Sequence, residues 1–320
     1  MNLIGIDIGG TKISVCLGDE TGKVKNTHRI ETPKTADSGV SEVFSLIEKL
    51  LEECSIQKND ITAIGISCPG PISVEKGVIL DPPNLKGWHN FELVKAFENK
   101  YQKPIFLNND ANAAAVAEWE FGNLKKANTL VYLTLSTGMG GGLIVNSKLV
   151  QGKTDTAGEV GHFIVDINGP VCSCGLKGCF EAYCGGANVA NRVKEKIEAQ
   201  NISTQITKEA QSIDKIDMRA IIEAVKKNDP FALNIWEEFV TRCAQGIGTI
   251  IMTLNPDAIV LGTIAIHTKS LFLEPLMKKL PLFCWKVPLE HCKIEPSILG
   301  SGISELSSLA LAIYGLQEKS

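Results

Sequence analysis

The chain has 320 residues, a length that favours two domains or one large two-lobed unit. Hydrophobic residues make up 44% and charged residues 21%, which is a poor fit to disordered, collagen-like or coiled-coil proteins. The formal net charge is −4, so the basic excess of a nucleic-acid-binding protein is missing.

The compartment can be predicted from two further features of the sequence. No run of 18 apolar residues is present, because the nearest candidate, 247–266, is interrupted by Asn255-Pro256-Asp257. The first residues contain neither a basic segment nor an apolar segment of a secretion signal. We therefore expect a cytoplasmic protein, in which most of the ten cysteines are reduced thiols or metal ligands.

The predicted elements alternate between strands and helices. In the first part of the chain, strands are predicted at 3–7, 13–17, 61–67 and 105–107, and helices at 40–51 and 111–121. In the remainder, strands are predicted at 130–135, 143–145 and 258–261, and helices at 219–227, 231–254 and 303–316. This alternation predicts an α/β fold. Two similar glycine-rich hairpins, more than a hundred residues apart, indicate a duplicated lobe.

Each hairpin has the composition of a phosphate-binding turn. In the first, Asp7-Ile-Gly-Gly-Thr-Lys12, glycines allow backbone N–H groups to approach an anion, and Asp7 is a candidate partner for Mg²⁺. In the second, Ser136-Thr-Gly-Met-Gly-Gly-Gly142, the same residue types recur. Either alone is as well explained by an ordinary glycine-rich turn, but together they favour a clamp for the β- and γ-phosphates of a nucleotide. P-loop, dinucleotide-binding and serine-hydrolase motifs each fail at one required glycine.

Asn109-Asp110 stands immediately before a predicted helix. Such a pair is usually a helix N-cap. The functional alternative is that Asp110 accepts a proton from a substrate hydroxyl, since a helix N-terminus stabilises a carboxylate.

The most specific pattern is a set of metal-binding residue types. His162, Cys172, Cys174 and Cys179 fall within 18 positions and match a tetrahedral Cys₃His zinc set. Four protein ligands leave no open position, so the zinc is expected to be structural. The loop should hold Glu159 and Glu181, which flank the ligands, toward one pocket. We expect it to leave the phosphate clamp nearly independent, because neither hairpin contains a ligand.

Together, these motifs resemble the ROK family of sugar kinases and repressors, within the actin-like (hexokinase/Hsp70) ATPase superfamily. The resemblance rests on Asp7–Lys12, Asn109–Asn112, Thr137–Gly142, Glu159–His162 and Cys172–Cys179 with Glu181. It implies a two-lobed, actin-like (ribonuclease H-like) α/β ATPase fold with a duplicated lobe and a zinc-bound loop. The implied small lobe covers 1–112, with the C-terminal helix 303–320 packed back on it, and the large lobe covers 113–302.

The resemblance also implies an ATP-dependent hexose kinase with Asp110 as the catalytic base and ATP, Mg²⁺ and a structural Zn²⁺ as cofactors. Sugar-binding positions would be Asn84, Asn109, Asp110, Glu159, His162 and Glu181. Nucleotide-binding positions would be Asp7, Gly9, Gly10, Thr11, Lys12, Thr137, Gly138, Gly140 and Gly262. Zinc would be held by His162, Cys172, Cys174 and Cys179, and the zinc loop would serve sugar recognition by placing Glu159 and Glu181. The protein would form a homodimer or homotetramer.

The loop 83–88 looks like the glucokinase branch of the family, which makes glucose, phosphorylated at O6, the first choice of substrate. Kinases of N-acetylmannosamine and N-acetylglucosamine are similar enough to remain alternatives. The sequence departs from the family pattern at two places. Ser136 stands where many members have glycine, and Leu261-Gly-Thr-Ile264 stands where the family usually has a longer glycine run near the adenosine. Because Thr263 and Ile264 are bulky, the identity of the phosphoryl donor stays open. A non-catalytic sugar-binding or sugar-sensing protein is the alternative class. A repressor would need a helix-turn-helix before the first strand, where this sequence has two residues.

Overall fold

The computed structural model describes residues 1–319. Its strands are β1 (Leu3–Ile8), β2 (Lys12–Gly18), β3 (Val24–Glu31), β4 (Ala63–Cys68), β5 (Ile72–Ser73), β6 (Val78–Ile79), β7 (Ile105–Asn109), β8 (Leu130–Leu135), β9 (Met139–Val145), β10 (Lys148–Leu149), β11 (Ala258–Leu261) and β12 (Lys293–Pro296). Its α-helices are α1 (Ala36–Glu53), α2 (Leu93–Tyr101), α3 (Asp110–Phe121), α4 (Phe180–Cys184), α5 (Gly186–Gln200), α6 (Gln205–Ala210), α7 (Met218–Lys226), α8 (Pro230–Leu254), α9 (Ile264–Thr268), α10 (Ser270–Lys279), α11 (Lys286–His291) and α12 (Ile303–Lys319).

These elements form two compact units. The first contains Met1–Tyr132, Gly142–Gly158 and the described residues from Ile298 onward, and the second contains Leu133–Gly141 and Glu159–Ser297. The sequence predicts a boundary at residue 112, whereas the structure's first unit also includes all of α3, because α3 packs against α12. Among the described helices, none is long and apolar enough to cross a membrane.

The first unit is built on a five-stranded sheet of order β3-β2-β1-β4-β7. Strands β1, β4 and β7 run parallel, and β2 and β3 complete an antiparallel meander. Along β1, Ile4, Ile6 and Ile8 face a core formed with α1 and α2. Leu3 faces the opposite side, where it packs with Leu309 of α12. Burial of both faces explains the nearly continuous apolar runs of β1 and β4.

Helix α12 lies very close to this sheet. A Cβ atom added at Gly65 would lie 1.9 Å from the backbone oxygen of Ser308, so only glycine fits at this position of β4. The close approach brings the first turn of α12 to the ends of β1 and β4. The C-terminal helix thereby becomes part of the surroundings of Asp7.

A second five-stranded sheet has the order β10-β9-β8-β11-β12. Like the first sheet, it has three consecutive strands in reverse order at one edge and two later strands at the other. Strands β9 and β10 are antiparallel, and β11 and β12 are parallel. The predicted α/β class and the duplication are therefore confirmed. In the second unit, the long helix α8 packs against α4, α7 and α10, and Trp236 and Phe239 form an aromatic cluster with Phe272.

One predicted element differs in its limits. The sequence predicts a turn over 136–142, but β9 begins at Met139, so three of the glycines lie in a strand. Gly142 is needed for packing against α3 rather than for a turn, because a Cβ atom at Gly142 would lie 2.5 Å from the Cβ of Ala115 and 2.6 Å from the backbone oxygen of Ala111. Only the residues 136–138 form the turn.

Candidate functional site

In the first unit, polar side chains align across the ends of three parallel strands. Asp7 of β1 is in register with Ser67 of β4, and Ser67 is in register with Asn108 of β7. The carboxyl ends of parallel strands in open α/β sheets are where ligands commonly bind. The row therefore marks one edge of the sheet as the candidate site of this unit.

Asp7 lies in a crowded acidic environment. Burial is the largest of the effects that raise the pKa of Asp7 to about 6, and the carboxylates of Asp110 and Glu305 raise it further. Hydrogen bonds with Ser304 and Ser67 oppose them. A carboxylate that is costly to ionise in the protein alone is stabilised by a bound cation, so this position fits the expected Mg²⁺ partner.

The first glycine-rich turn is rigid. Gly9 donates its N–H to the Lys12 carbonyl over 2.9 Å, and the Thr32 hydroxyl donates to the Gly9 carbonyl over 2.6 Å. A Cβ atom at Gly10 would lie 2.7 Å from the backbone oxygen of Asn84. The turn and the loop that contains Asn84 are therefore packed together, and Thr11 and Lys12 remain exposed.

Asn109 and Asp110 have different roles at the start of α3. Asn109 is the N-cap, and its side-chain oxygen accepts the Asn112 N–H over 2.7 Å. Asp110 is the first helical residue, and its Oδ1 accepts the Ala111 N–H over 2.8 Å. The Asp110 side chain reaches solvent, yet the protein atoms around it desolvate its carboxylate enough to raise the pKa, against the opposing backbone hydrogen bonds. It is thus an accessible carboxylate with increased basicity.

In the second unit, the turn between β8 and β9 is held from two sides. The carbonyls of Ser136 and Thr137 accept the N–H groups of Gly186 and Ala187, at the start of α5, over 2.8 Å and 2.9 Å. On the other side, Glu181 accepts the Met139 N–H over 2.8 Å.

Glu181 also connects this turn to the cysteine loop. A Cβ atom at Gly138 would lie 2.9 Å from Oε2 of Glu181, while its Oε1 is 3.5 Å from the hydroxyl of Ser173. The same carboxylate therefore contacts the candidate phosphate turn and the loop that contains the candidate metal ligands. This linkage is not visible in the sequence, where neither hairpin contains a ligand.

The structure brings the four candidate zinc ligands together. The ligand atoms of His162, Cys172, Cys174 and Cys179 all lie within 4.8 Å of one another. The Cys174 and Cys179 sulfurs are 3.6 Å apart, and the Cys172 sulfur is 3.8 Å from Nδ1 of His162. A tetrahedral zinc with Zn–S bonds of about 2.3 Å separates its sulfurs by about 3.8 Å, whereas a disulfide needs about 2.05 Å. The donor set and spacing therefore fit zinc.

A second group of side chains supports this loop. The Tyr183 hydroxyl donates to Asp166 over 2.8 Å, and the Arg242 guanidinium donates to the same carboxylate over 2.7 Å. Hydrogen bonding from Tyr183, and more weakly the charge of Arg242, hold the pKa of Asp166 below its usual value. Gly178 packs tightly against the backbone oxygen of Asp166. A Cβ atom at Gly178 would lie 1.6 Å from that oxygen, so no side chain fits there. These contacts fix the loop to α4 and α8.

The second unit also contains a cavity of about 700 Å³ beside the β8–β9 turn. Its walls come from the turn, from α5 and α7 and from the segment that begins α9, and they include Ser136, Thr137, Ala187, Asn191, Met218, Thr263 and Ile264. The volume is typical of a small-molecule site. Gly262, at the end of β11, donates its N–H to the Leu133 carbonyl over 2.8 Å and so fixes Thr263 at the cavity wall.

The remaining predicted positions can be placed within the same unit. Glu159 precedes a 3-10 helix, Val160–His162, and its carbonyl accepts the His162 N–H over 3.0 Å. Gly140 lies in β9. Sequence reasoning missed Ser67, Ser304 and the α5 and α7 walls of the cavity. For Ser67 a signal existed, because a polar residue at the end of a buried parallel strand marks the ligand-binding edge.

Comparisons with known proteins agree with this geometry. The model of the ROK family matches residues 3–312. A glucokinase of Thermotoga maritima is 32% identical, with 87% of each chain covered. A xylose repressor of Caldicellulosiruptor bescii is 30% identical over 98% of this chain and 78% of its own length.

The fold is likewise similar to that of a solved relative, a ROK family glucokinase from Streptomyces griseus in complex with glucose and AMPPNP. The TM-score is 0.78 at 29% identity, with 98% of this chain and 99% of that chain covered. Since the family model spans nearly the whole sequence and the α/β fold matches, the chain belongs to the ROK family and has its actin-like fold.

Proposed function

We propose that the protein is an ATP-dependent sugar kinase that transfers the γ-phosphoryl group to a hexose hydroxyl, with glucose at O6 as the first-choice acceptor. The observation that carries the proposal is the exposed, basic carboxylate of Asp110 at the start of α3. The relatives named glucokinase favour glucose. N-acetylmannosamine and N-acetylglucosamine are the alternative acceptors.

Asp110 acts as the general base. Phosphoryl transfer has a loose transition state, so the protein mainly positions groups and neutralises charge. Asp110 accepts the proton of the attacking hydroxyl and orients its oxygen toward the γ-phosphorus. The Ala111 N–H fixes Oδ1 of Asp110, which leaves Oδ2 as the oxygen that faces the substrate.

The donor phosphates are bound by the two glycine-rich turns, through Gly9, Gly10, Thr11 and Lys12 and through Thr137, Gly138 and Gly140. The hydrogen bonds that hold each turn support this role, because a turn that is already fixed needs no rearrangement when phosphate binds. The Gly9 N–H is itself bonded to the Lys12 carbonyl, so Gly9 shapes the first turn while its neighbours donate to phosphate. Mg²⁺, bound with the nucleotide, would neutralise phosphate charge, with Asp7 as its protein partner. Gly262 borders the part of the donor site that would hold the nucleoside.

The sugar is bound in this proposal by five polar side chains, those of Asn84, Asn109, Glu159, His162 and Glu181. The N-cap bond uses the side-chain oxygen of Asn109 and leaves its amide NH₂ group as a donor. One oxygen of Glu181 is committed to the Met139 N–H, which orients the carboxylate. Zinc, held by His162, Cys172, Cys174 and Cys179, would fix the loop and thereby Glu181, and it takes no part in the chemistry.

A coupled assay of ADP release tests the proposal. Glucose, N-acetylglucosamine and N-acetylmannosamine are compared at saturating MgATP, and xylose, which lacks the C6 hydroxymethyl group, serves as the matched control. We expect turnover with glucose and none with xylose. ADP release that does not depend on any sugar would contradict the proposal.

The second candidate is sugar sensing without phosphoryl transfer. It is favoured by the repressors among the relatives, which match almost the whole of this chain. Calorimetry with glucose and with xylose distinguishes the two functions. Sugar binding without sugar-dependent ADP release would support sensing, whereas both together support the kinase.

A further inference from the structure

Thr263 has an unfavourable backbone conformation. Its φ and ψ angles are +46° and −94°, outside the left-handed region that asparagine and glycine adopt readily. Among the described residues it is the one β-branched side chain with a positive φ. Such strain persists where the surrounding structure enforces it, and it is concentrated at functional sites.

Three backbone hydrogen bonds hold Thr263 in this conformation. The preceding Gly262 N–H is bonded to Leu133 of β8, and the Thr263 carbonyl accepts the N–H groups of Ile266 and His267 at 3.1 Å and 3.2 Å. Its side chain is therefore directed toward β8, where its hydroxyl lies 3.1 Å from the hydroxyl of Thr134. The strained backbone conformation thus places the Thr263 hydroxyl beside the Thr134 hydroxyl.

The hydroxyl pair has one donor to spare. Each threonine hydroxyl has one O–H, and the bond between Thr134 and Thr263 uses one of the two. Thr263 lines the 700 Å³ cavity together with Ser136 and Thr137 of the candidate phosphate turn. Thr134 is only two residues before this turn and is half-buried. An unspent O–H at this place is suited to a phosphoryl oxygen, which is a strong acceptor.

We propose that the Thr134–Thr263 hydroxyl pair binds a phosphoryl oxygen of the nucleotide and makes Thr263 a specificity-determining residue of the donor site. The inference rests on the proposed kinase function, and it explains why a strained threonine stands where glycine would be relaxed. Removing Thr263 should weaken the binding of a phosphorylated nucleoside and should not weaken the binding of the nucleoside alone.

The test uses calorimetry with two probes, ADP with Mg²⁺ and adenosine. In Thr263→Gly we expect the Kd for ADP to rise about tenfold, since one hydrogen bond to a charged group is lost, and the Kd for adenosine to stay the same. Thr263→Ser retains the hydroxyl and should bind ADP as the wild type does. Thr134→Val removes the hydroxyl that orients Thr263 at nearly constant shape and leaves the Thr263 O–H in place, so it should weaken ADP binding less than Thr263→Gly does.

Thermal unfolding provides a readout that does not depend on catalysis. The Tm of Thr263→Gly should equal or exceed that of the wild type, because glycine relieves the strain, whereas Thr134→Val should show no gain. An unchanged Kd for ADP in Thr263→Gly, or an equal loss of ADP and adenosine binding, would overturn the hydroxyl–phosphate contact while leaving the kinase proposal intact. A wild-type protein that binds neither probe would overturn the kinase proposal and this inference together.

Discussion

If the protein is the zinc-containing kinase proposed above, removal of one candidate zinc ligand should weaken the binding of both substrates, because Glu181 connects the cysteine loop to the turn between β8 and β9. Cys174 is the most suitable ligand to change, since it is the exposed one of the four. Cys174→Ser leaves three ligands and no sulfur at the fourth corner. We expect the purified variant to contain much less zinc than the one equivalent expected for the wild type.

The expected size of the effect follows from two contacts of Glu181. Its Oε2 accepts the Met139 N–H over 2.8 Å, and its Oε1 is 3.5 Å from the hydroxyl of Ser173, which lies between two ligands. A hydrogen bond to a charged group contributes about 1.5–3 kcal/mol, or about 10- to 150-fold in binding. We therefore expect the KM for the sugar to rise about 10- to 100-fold, as is typical when residues that orient a site are lost.

The KM for ATP should rise as well, by about tenfold, because Met139 loses the partner that fixes the phosphate turn. This differs from the expectation from sequence alone, in which the loop affects only the sugar. Steady-state kinetics with each substrate varied at saturation of the other measures both constants. Cys284→Ser, a cysteine outside the metal group in the same unit, is the matched control and should retain wild-type kinetics and zinc. Loss of zinc with an unchanged KM for ATP would refute the coupling through Glu181.

Two further predictions concern stability. Gly65→Ala should destabilise the first unit by about 3 kcal/mol or more, because the new Cβ would lie 1.9 Å from a backbone oxygen of α12. Gly302→Ala is the control: its new Cβ would have its nearest atom at 3.8 Å, so it should be nearly neutral in the same denaturant titration. Asp229→Ala should cost about 2 kcal/mol at pH 7, because the buried carboxylate caps α8 and also accepts the Gln205 N–H. Desolvation raises the pKa of Asp229, but the hydrogen bonds that the carboxylate accepts outweigh this effect, so the pKa is lowered overall. The stability that the Asp229 carboxylate contributes is therefore present above about pH 4 and is lost as the pH falls through the lowered pKa. A stability difference between wild type and Asp229→Ala that persists undiminished at pH 2 would contradict this assignment.

The elements that could be predicted from sequence are those whose pattern matches their burial. β1, β4 and β8 are apolar runs covered on both faces, and α8 shows helical periodicity after an Asp-Pro start. β3 was not predictable in the same way, because it is a polar strand at the edge of its sheet and none of its residues is fully buried. Its pairing with β2, rather than its composition, makes it a strand.

The candidate site likewise contains parts that could be predicted from the sequence and parts that could not. Motifs of consecutive residues, such as Asp7–Lys12 and the cysteine loop, can be recognised because chain connectivity alone places their members together. Ser304 and Glu305 reach Asp7 from almost 300 residues away, and this depends on how closely α12 approaches two glycines of the sheet. The positive φ of Thr263 likewise follows from hydrogen bonds between β8, β11 and α9. Such contacts are set by tertiary packing and leave no local pattern.

The most direct test of the proposed function compares sugar-dependent ADP release by the wild type and by Asp110→Asn, with circular dichroism and Tm as controls for folding. Asparagine keeps the size of the side chain and an oxygen for the Ala111 N–H, so the start of α3 should be preserved. If Asp110 is the general base, kcat should fall at least about 100-fold. A folded Asp110→Asn protein that turns over glucose at the wild-type rate would contradict the account.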